Sequence, residues 1–216
     1  MKKVSFITGS RGRYDLMVES IASLKDKEGN WDIHIAIDPD EEAMNDYLAL
    51  NDKKIHVYVM PERYGYRQLH KYYNAMAAKS DGDWIFNWND DAQMITEDWF
   101  DKIVAHDHTI AQVLSPYHPQ DNLFPVISRR WYEVLKHYSL SPHVDSWVQQ
   151  IGEWTGSQVF VPDFEIHHNG TAMKDPTYLE GREDIRFSAP EFSGEIMTAL
   201  RHADADKIKE DRDGIR

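Results

Sequence analysis

At 216 residues with 41% hydrophobic content, the chain has the length and the apolar material for one α/β domain with its own core. Cysteine is absent, which excludes disulfides and thiolate metal sites and fits a reducing compartment. The formal charge of −13, from 37 acidic and 24 basic residues, disfavours non-specific attraction to DNA or to an anionic membrane, while a local basic pocket for a phosphate stays compatible with it.

The run Val4 to Thr8 after Met1-Lys2-Lys3 is too short for a signal segment or a membrane span, and is expected to be the first strand of a soluble, cytoplasmic protein. A loop follows at "GSRGR", and Leu16, Met17, Ile21 and Leu24 have helical spacing over Tyr14 to Leu24. Trp31 to Ile37 alternates as a second strand and ends on Asp38-Pro39-Asp40. Glu41 to Leu50 is expected to be helical, Ile55 to Met60 a third strand, and Tyr66 to Lys79 a helix whose apolar face carries Leu69, Tyr72, Tyr73, Met76 and Ala77. Trp84 to Trp88 reads as a buried fourth strand running straight into Asn89-Asp90-Asp91. Four alternations of strand and helix imply a mostly parallel sheet covered by helices.

The second half is less regular. Helices are expected at Glu97 to Ala105, Ser128 to Tyr138 and Asp145 to Gly152, and short strands at Val113 to Ser115 and Phe124 to Ile127. Val159 to His168 reads as one strand broken at Pro162-Asp163. The tail "HADADKIKEDRDGIR" is poor in apolar residues and is expected to be a frayed helix or disordered. The organisation inferred is one domain over 1–185, with a nucleotide-binding half (1–92) and an acceptor and metal half (93–185), and a charged helical or disordered extension over 186–216. Seven Trp and eleven Tyr either pack inside, the commoner role of such rings, or line a cleft for a sugar or base.

In parallel sheets ligands gather beyond the carboxyl ends of the strands. Polar residues stand at four such ends: Ser10-Arg11, Asp38, Arg63, and Asn89 to Asp91. Adjacent carboxylates repel, so a positive partner is expected at the last. Two or three hard oxygens suit Mg²⁺ or Mn²⁺ rather than zinc. The plain alternative is an N-cap for the next helix, although Thr96 and Asp98 stand nearer to it. Of His167 and His168, strand parity lets only one face a site. Asp145, at a helix start after Ser141-Pro142-His143-Val144, is by itself compatible with an ordinary N-cap.

The order of these pieces resembles the GT-A glycosyltransferases of the family-2 type, in their phage and bacterial form. "FITGSRGRYDLMVESIASL" is similar to their opening, "IAIDPD" to their second-strand acidic end, and "YNAMAAKSDGDWIFNWNDDAQMITEDWFDKI" to an Asn-bearing helix, the fourth strand and a DxD element. "PHVDSWVQQIG" resembles the acceptor-side helix with its catalytic Asp, and "VFVPDFEIHHNGTAMKDPTYLEGR" the later His-bearing strand and its loop. The likeness covers about residues 1–182, with Asn89 in place of the first Asp of the DxD element.

The resemblance implies a metal-dependent transfer of a sugar from a UDP- or GDP-sugar to a hydroxyl acceptor, inverting, with Mn²⁺ or Mg²⁺ as cofactor. It implies nucleotide contacts at Thr8, Arg11, Arg13, Asp38, Arg63, Asn74, Asn89 and Asp90. Asp91 and His168 are then the metal ligands and Asp145 the general base. The acceptor expected is a small glycan, a lipid-linked sugar or a protein side chain; the acidic charge argues against long nucleic acid, with a modified DNA base in a phage the exception. Two other readings share these features. A nucleotidyltransferase also joins an α/β sheet to a carboxylate-bound metal, but has a Gly-rich, Lys-containing loop that "GSRGR" matches only loosely. A sugar-nucleotide-binding protein without turnover is favoured only by Asn89.

Overall fold

Strand β1 (Val4–Gly9) packs on both faces: Val4 and Phe6 belong to one core and Ile7 to another, so the run reads as continuously apolar. The computed structural model describes residues 1–25, 29–116, 123–169 and 190–214. Among these, β1 lies in a seven-stranded sheet with β2 (Trp31–Ile37), β3 (Ile55–Val59), β4 (Trp84–Asn87), β6 (Val113–Ser115), β7 (Val126–Ser128) and β8 (Gln158–Phe160). The order is β3-β2-β1-β4-β7-β6-β8, and β7 runs against its neighbours β4 and β6 while the other pairs are parallel. The expected mostly parallel sheet flanked by helices is the fold observed.

Helices cover both faces. On the Phe6 side lie α1 (Tyr14–Lys25), α2 (Met44–Ala49) and α4 (Trp99–Val104), contributing Met17, Ile21, Leu24, Tyr47, Trp99 and Ile103. On the Ile7 side lie α3 (Leu69–Lys79), α5 (Arg129–Leu135) and α6 (Val144–Thr155), contributing Tyr72, Tyr73, Met76, Trp131, Trp147 and Ile151. Phe6 stacks on Phe86 (centroids 4.9 Å apart) and meets Trp88 and Trp99 edge-on. Six of the seven Trp are fully buried and only Trp154 is exposed, so the Trp rings build core rather than line a cleft.

Several boundaries differ from the sequence expectation. Helix α2 begins at Met44 rather than Glu41, because Glu41 turns its carboxylate onto the Gly12 and Ala43 amides (2.9 and 3.2 Å). Helix α5 stops at Leu135, where Lys136 takes a left-handed conformation (φ 64°). Helix α4 has Asp98 at its N-cap position without a side-chain cap bond, and Thr96 instead exchanges hydrogen bonds with the Glu165 backbone. The segment read as one broken strand is two strands in different sheets: β8 joins the main sheet, while β9 (Ile166–His168) pairs antiparallel with β5 (Ala92–Met94), which the sequence did not announce.

The described part of the charged tail, residues 190–214, is helical. After a short helix, α7 (Pro190–Ser193), helix α8 (Glu195–Gly214) buries Ala205 and Ile208 in the α5–α6 core. Its charges point at partners: Asp204 accepts from His137 (2.7 Å), and Asp211 pairs with the Arg130 guanidinium. Among the described residues no helix is long and apolar enough to cross a membrane.

Candidate active site

The parallel run β3-β2-β1-β4 sets its carboxyl ends along one edge, and four loops meet there. The β1 loop is pinned residue by residue. Ser10 Oγ donates to Asp90 (2.8 Å) and lies 2.6 Å from the Tyr47 hydroxyl. Arg11 forks between Asp38 (3.0 Å) and Asp40 (2.5 and 2.9 Å). Gly12 takes a left-handed conformation (φ 63°) that lets its amide reach Glu41. Arg13 then pairs with Asp90 at 2.8 Å and lies 3.6 Å from Asp91.

The fourth-strand end is held just as firmly. Trp88 donates its indole N–H to Ser20 Oγ (2.7 Å), and its carbonyl accepts the Tyr73 hydroxyl (3.0 Å). The chain then turns through Asn89-Asp90-Asp91 into β5, so these residues precede a strand and do not cap a helix. Pairing of Ala92 with His168 across β5–β9 brings the imidazole Nε2 to 3.1 Å from Asp91 Oδ1 and 3.4 Å from Asn89 Nδ2. Phe124 meets the His168 ring edge-on at 5.5 Å. His167, one residue earlier, is exposed on the other face.

The two carboxylates are not equivalent. Burial, with the like charge of Asp91 added, pushes the Asp90 carboxyl up to about 6 against the pull of Arg13 and Ser10. Burial works to raise Asp91 as well, yet the His168 contact and the Arg13 charge together hold it below the usual carboxylate range. Asp91 Oδ2 is buried and accepts no hydrogen bond. Arg13 is the cation that faces the two carboxylates. A carboxylate oxygen without a donor, next to an imidazole nitrogen, is a donor set that fits Mn²⁺ or Mg²⁺.

Other expected residues fare differently. Asp38 is buried with both oxygens engaged, one by Arg11 and one by the Tyr72 hydroxyl, which also accepts the Tyr64 and Gly65 amides (2.9 and 3.0 Å). Arg63 is exposed on that 61–65 turn; Arg11 foremost, with Arg63 behind it, holds Asp40 below the usual carboxylate range. Thr8 is fully buried and its hydroxyl donates to the Gly9 carbonyl (3.2 Å). Asn74 is engaged by the 138–139 turn: its Oδ1 accepts the Tyr138 and Ser139 amides (2.8 and 3.0 Å) and its Nδ2 donates to the Ser139 carbonyl (2.7 Å). It fixes the turn that leads into α6.

Asp145 lies in the first turn of α6, half-buried, with Oδ1 accepting the Ser146 amide (2.7 Å). The N-cap position belongs to His143, so the plain capping reading does not apply. Tyr73 links the two halves of the site. Burial first, then the charges of Asp90 and Asp145, push its phenol up, so both carboxylates act on one buried ring. Sequence reasoning placed Ser10 at a ligand-gathering strand end and passed over Glu41, Tyr47 and Tyr72 as supports of the ligand loops. The two tyrosines carried the available signal, since a Tyr on an apolar helix face brings a hydroxyl that needs a partner.

This sheet, with its acidic turn at the fourth strand end and a second half carrying the later His and Asp, has the architecture of the GT-A glycosyltransferases. The chain belongs to glycosyl transferase family 2, whose model matches residues 5–150. No curated protein matches it significantly. Among solved structures it is similar to the mannosyltransferase PcManGT from Pyrobaculum calidifontis, in complex with GDP-Man and Mn²⁺: TM-score 0.62 and 12% identity, covering 96% of this chain and 72% of that one. S. aureus TarS 1–349 is similar at a TM-score of 0.59 and 11% identity, over 96% of this chain and 70% of that one. The complex of TarS 1–349 with UDP-GlcNAc aligns at 0.60 and 10% identity, over 76% of this chain and 56% of that one. Identities this low bear on fold alone.

Proposed function

We propose that the chain transfers a sugar from a nucleoside-diphosphate sugar, of the UDP or GDP class, to a hydroxyl acceptor, with inversion at the anomeric carbon. The observation that carries the reading is Asp91, whose buried Oδ2 lacks a hydrogen bond while Oδ1 lies 3.1 Å from His168 Nε2. A divalent cation, Mn²⁺ or Mg²⁺, held by Asp91 and His168 would neutralise the charge that grows on the diphosphate as the glycosidic bond breaks. The solved neighbours in complex with GDP-Man and Mn²⁺ and with UDP-GlcNAc support the donor class and the ion.

The chain's own residues divide the remaining work. Asp90, tied to Ser10 and Arg13, locks the β1 loop to the fourth-strand turn, so the phosphate-facing loop and the metal-ligand pair move as one unit. Asn89 supplies an amide where a ribose or sugar hydroxyl needs a partner, and adds no charge. The Arg11–Asp38–Tyr72 chain holds the 61–65 turn beside the nucleotide end. Asp145 is the general base: it takes the proton of the acceptor hydroxyl as that oxygen attacks the anomeric carbon opposite the departing diphosphate. Small glycans, lipid-linked sugars and protein hydroxyls are the acceptors in keeping with a formal charge of −13.

Release of nucleoside diphosphate from GDP-mannose and UDP-GlcNAc with Mn²⁺ tests the donor side, since transferases leak slowly to water. For the base, Asp145→Asn should bind nucleotide as the parent does and lose about 10²–10⁴ in transfer rate. Undiminished transfer by Asp145→Asn, or a product of retained anomeric configuration by NMR, contradicts the assignment.

A further inference from the structure

At the opposite end of the sheet from the cleft, three potential ligands converge for which the proposed transfer has no use. Asp32 and His34 alternate along β2, and His56 stands directly across from His34 on the edge strand β3. One ligand atom from each lies within 4.8 Å of the other two. Asp32 Oδ2 is 3.3 Å from His34 Nε2 and 3.7 Å from His56 Nε2. With bonds of about 2.0–2.2 Å, a tetrahedral centre sets its ligand atoms about 3.3–3.6 Å apart. The two separations from Asp32 stand at or close to that spacing, and the third, between the imidazoles, is within 4.8 Å.

The environment argues for a cation. Asp32 and His34 are both buried, at 3% and 4% side-chain exposure, and Asp32 Oδ1 and His34 Nε2 make no hydrogen bond. On the far side of the imidazole, the Tyr58 hydroxyl lies 3.4 Å from His34 Nδ1, with the two rings stacked. With Nδ1 donating to that oxygen, Nε2 turns its lone pair towards the carboxylate. In that tautomer two lone pairs face each other in a buried site, and a positive charge between or beside them offsets the repulsion. Lys3 supplies one now: its ammonium is 2.6 Å from Asp32 Oδ2 and also pairs with the exposed Asp81. The half-exposed Lys3 and His56 side chains leave the site open to solvent on that flank.

We propose that Asp32, His34 and His56 form a second metal site, separate from the donor site, selective for a borderline transition ion of the Zn²⁺ class, with Lys3 as its built-in competitor. Two imidazoles and one carboxylate select such an ion over Mg²⁺ or Ca²⁺ and leave a fourth position for water. Binding moves the Lys3 ammonium off Asp32 and onto Asp81. By joining β2 to the edge strand β3, the ion acts on the fold rather than on the sugar transfer.

Co²⁺ is the probe, because tetrahedral nitrogen–oxygen ligation gives it intense visible absorption. The titration is run on the Asp91→Asn full chain, so that the donor site is out of play. One equivalent of Co²⁺ should produce tetrahedral bands that Zn²⁺ abolishes. His34→Ala should lose the bands, and so should His56→Ala, whose partly exposed side chain can be removed without opening the core. Lys3→Ala should bind about fivefold tighter, the worth of one part-exposed ion pair. Absence of a one-equivalent site, bands that survive His56→Ala in folded protein, or unchanged affinity in Lys3→Ala would each overturn the proposal.

Discussion

At the scale of single residues, the site is built by side chains that face one another rather than the solvent. Asp90, Arg13 and Ser10 form a closed set, and Asp38 is held between Arg11 and Tyr72. That answers part of what the sequence asked: the positive partner expected beside adjacent carboxylates is Arg13, a residue from the first loop, while His168, from the last described strand, lies 3.1 Å from Asp91. The Asp91–His168 meeting was expected from the family resemblance and from strand parity with Phe164 and Ile166. The direction of Asn74 was not legible, because helical spacing fixes a face and says nothing of which loop will pack there. Asn74→Ala leaves the Tyr138 and Ser139 amides without their acceptor, at a cost of about 1–3 kcal/mol. The turn it releases leads into α6 and Asp145, so transfer rate should fall while nucleotide binding is kept. Urea denaturation and a nucleotide titration on the one variant check both halves; weakened nucleotide binding with normal transfer would place Asn74 on the donor side.

At the scale of elements, strands and helices with strong apolar periodicity were readable and short ones were not. β1 to β4 stand within a residue or so of their expected limits, since each carries four or more residues of clear pattern. β5 is three residues long, Ala92–Met94, directly after two carboxylates, and nothing in "AQM" marks a strand. Its partner β9 was merged with β8 because the turn between them was read as a break in one strand rather than a change of sheet. That tiny sheet brings Asp91 to His168, so the element least visible in the sequence positions the ligand pair. Close packing elsewhere leaves its own signature: a Cβ on Gly82 would fall 2.6 Å from Ser5 Oγ and 2.7 Å from the Ser5 amide nitrogen. Gly82→Ala should therefore force β4 away from β1 and cost roughly 1–3 kcal/mol. An unchanged denaturation midpoint with an unchanged slope would show that the junction can yield.

At the scale of the molecule, the acidic charge that disfavours non-specific attraction to a polyanion also hid a docked helix. Helix α8 reads as polar because only Ala205 and Ile208 are buried in the apolar core, with Met197 packed against it, while Asp204 and Asp211 are matched to His137 and Arg130 on the body of the domain. Counting apolar residues missed this, since a few apolar contacts and matched polar partners are enough to seat a helix on an existing core. The carboxyl edge of the sheet gathers the donor-side residues, and the buried Tyr73 phenol feels the charges of both Asp90 and Asp145. The account rests on that edge binding a nucleoside diphosphate through a cation at Asp91. Calorimetric titration of GDP and UDP into the protein, once with Mn²⁺ and once with EDTA, tests it most directly. The account predicts binding with Mn²⁺ that weakens by at least about tenfold in EDTA, and that Asp91→Asn binds no better with the metal than without it. Equal affinity with Mn²⁺ and with EDTA in the unaltered protein would contradict it.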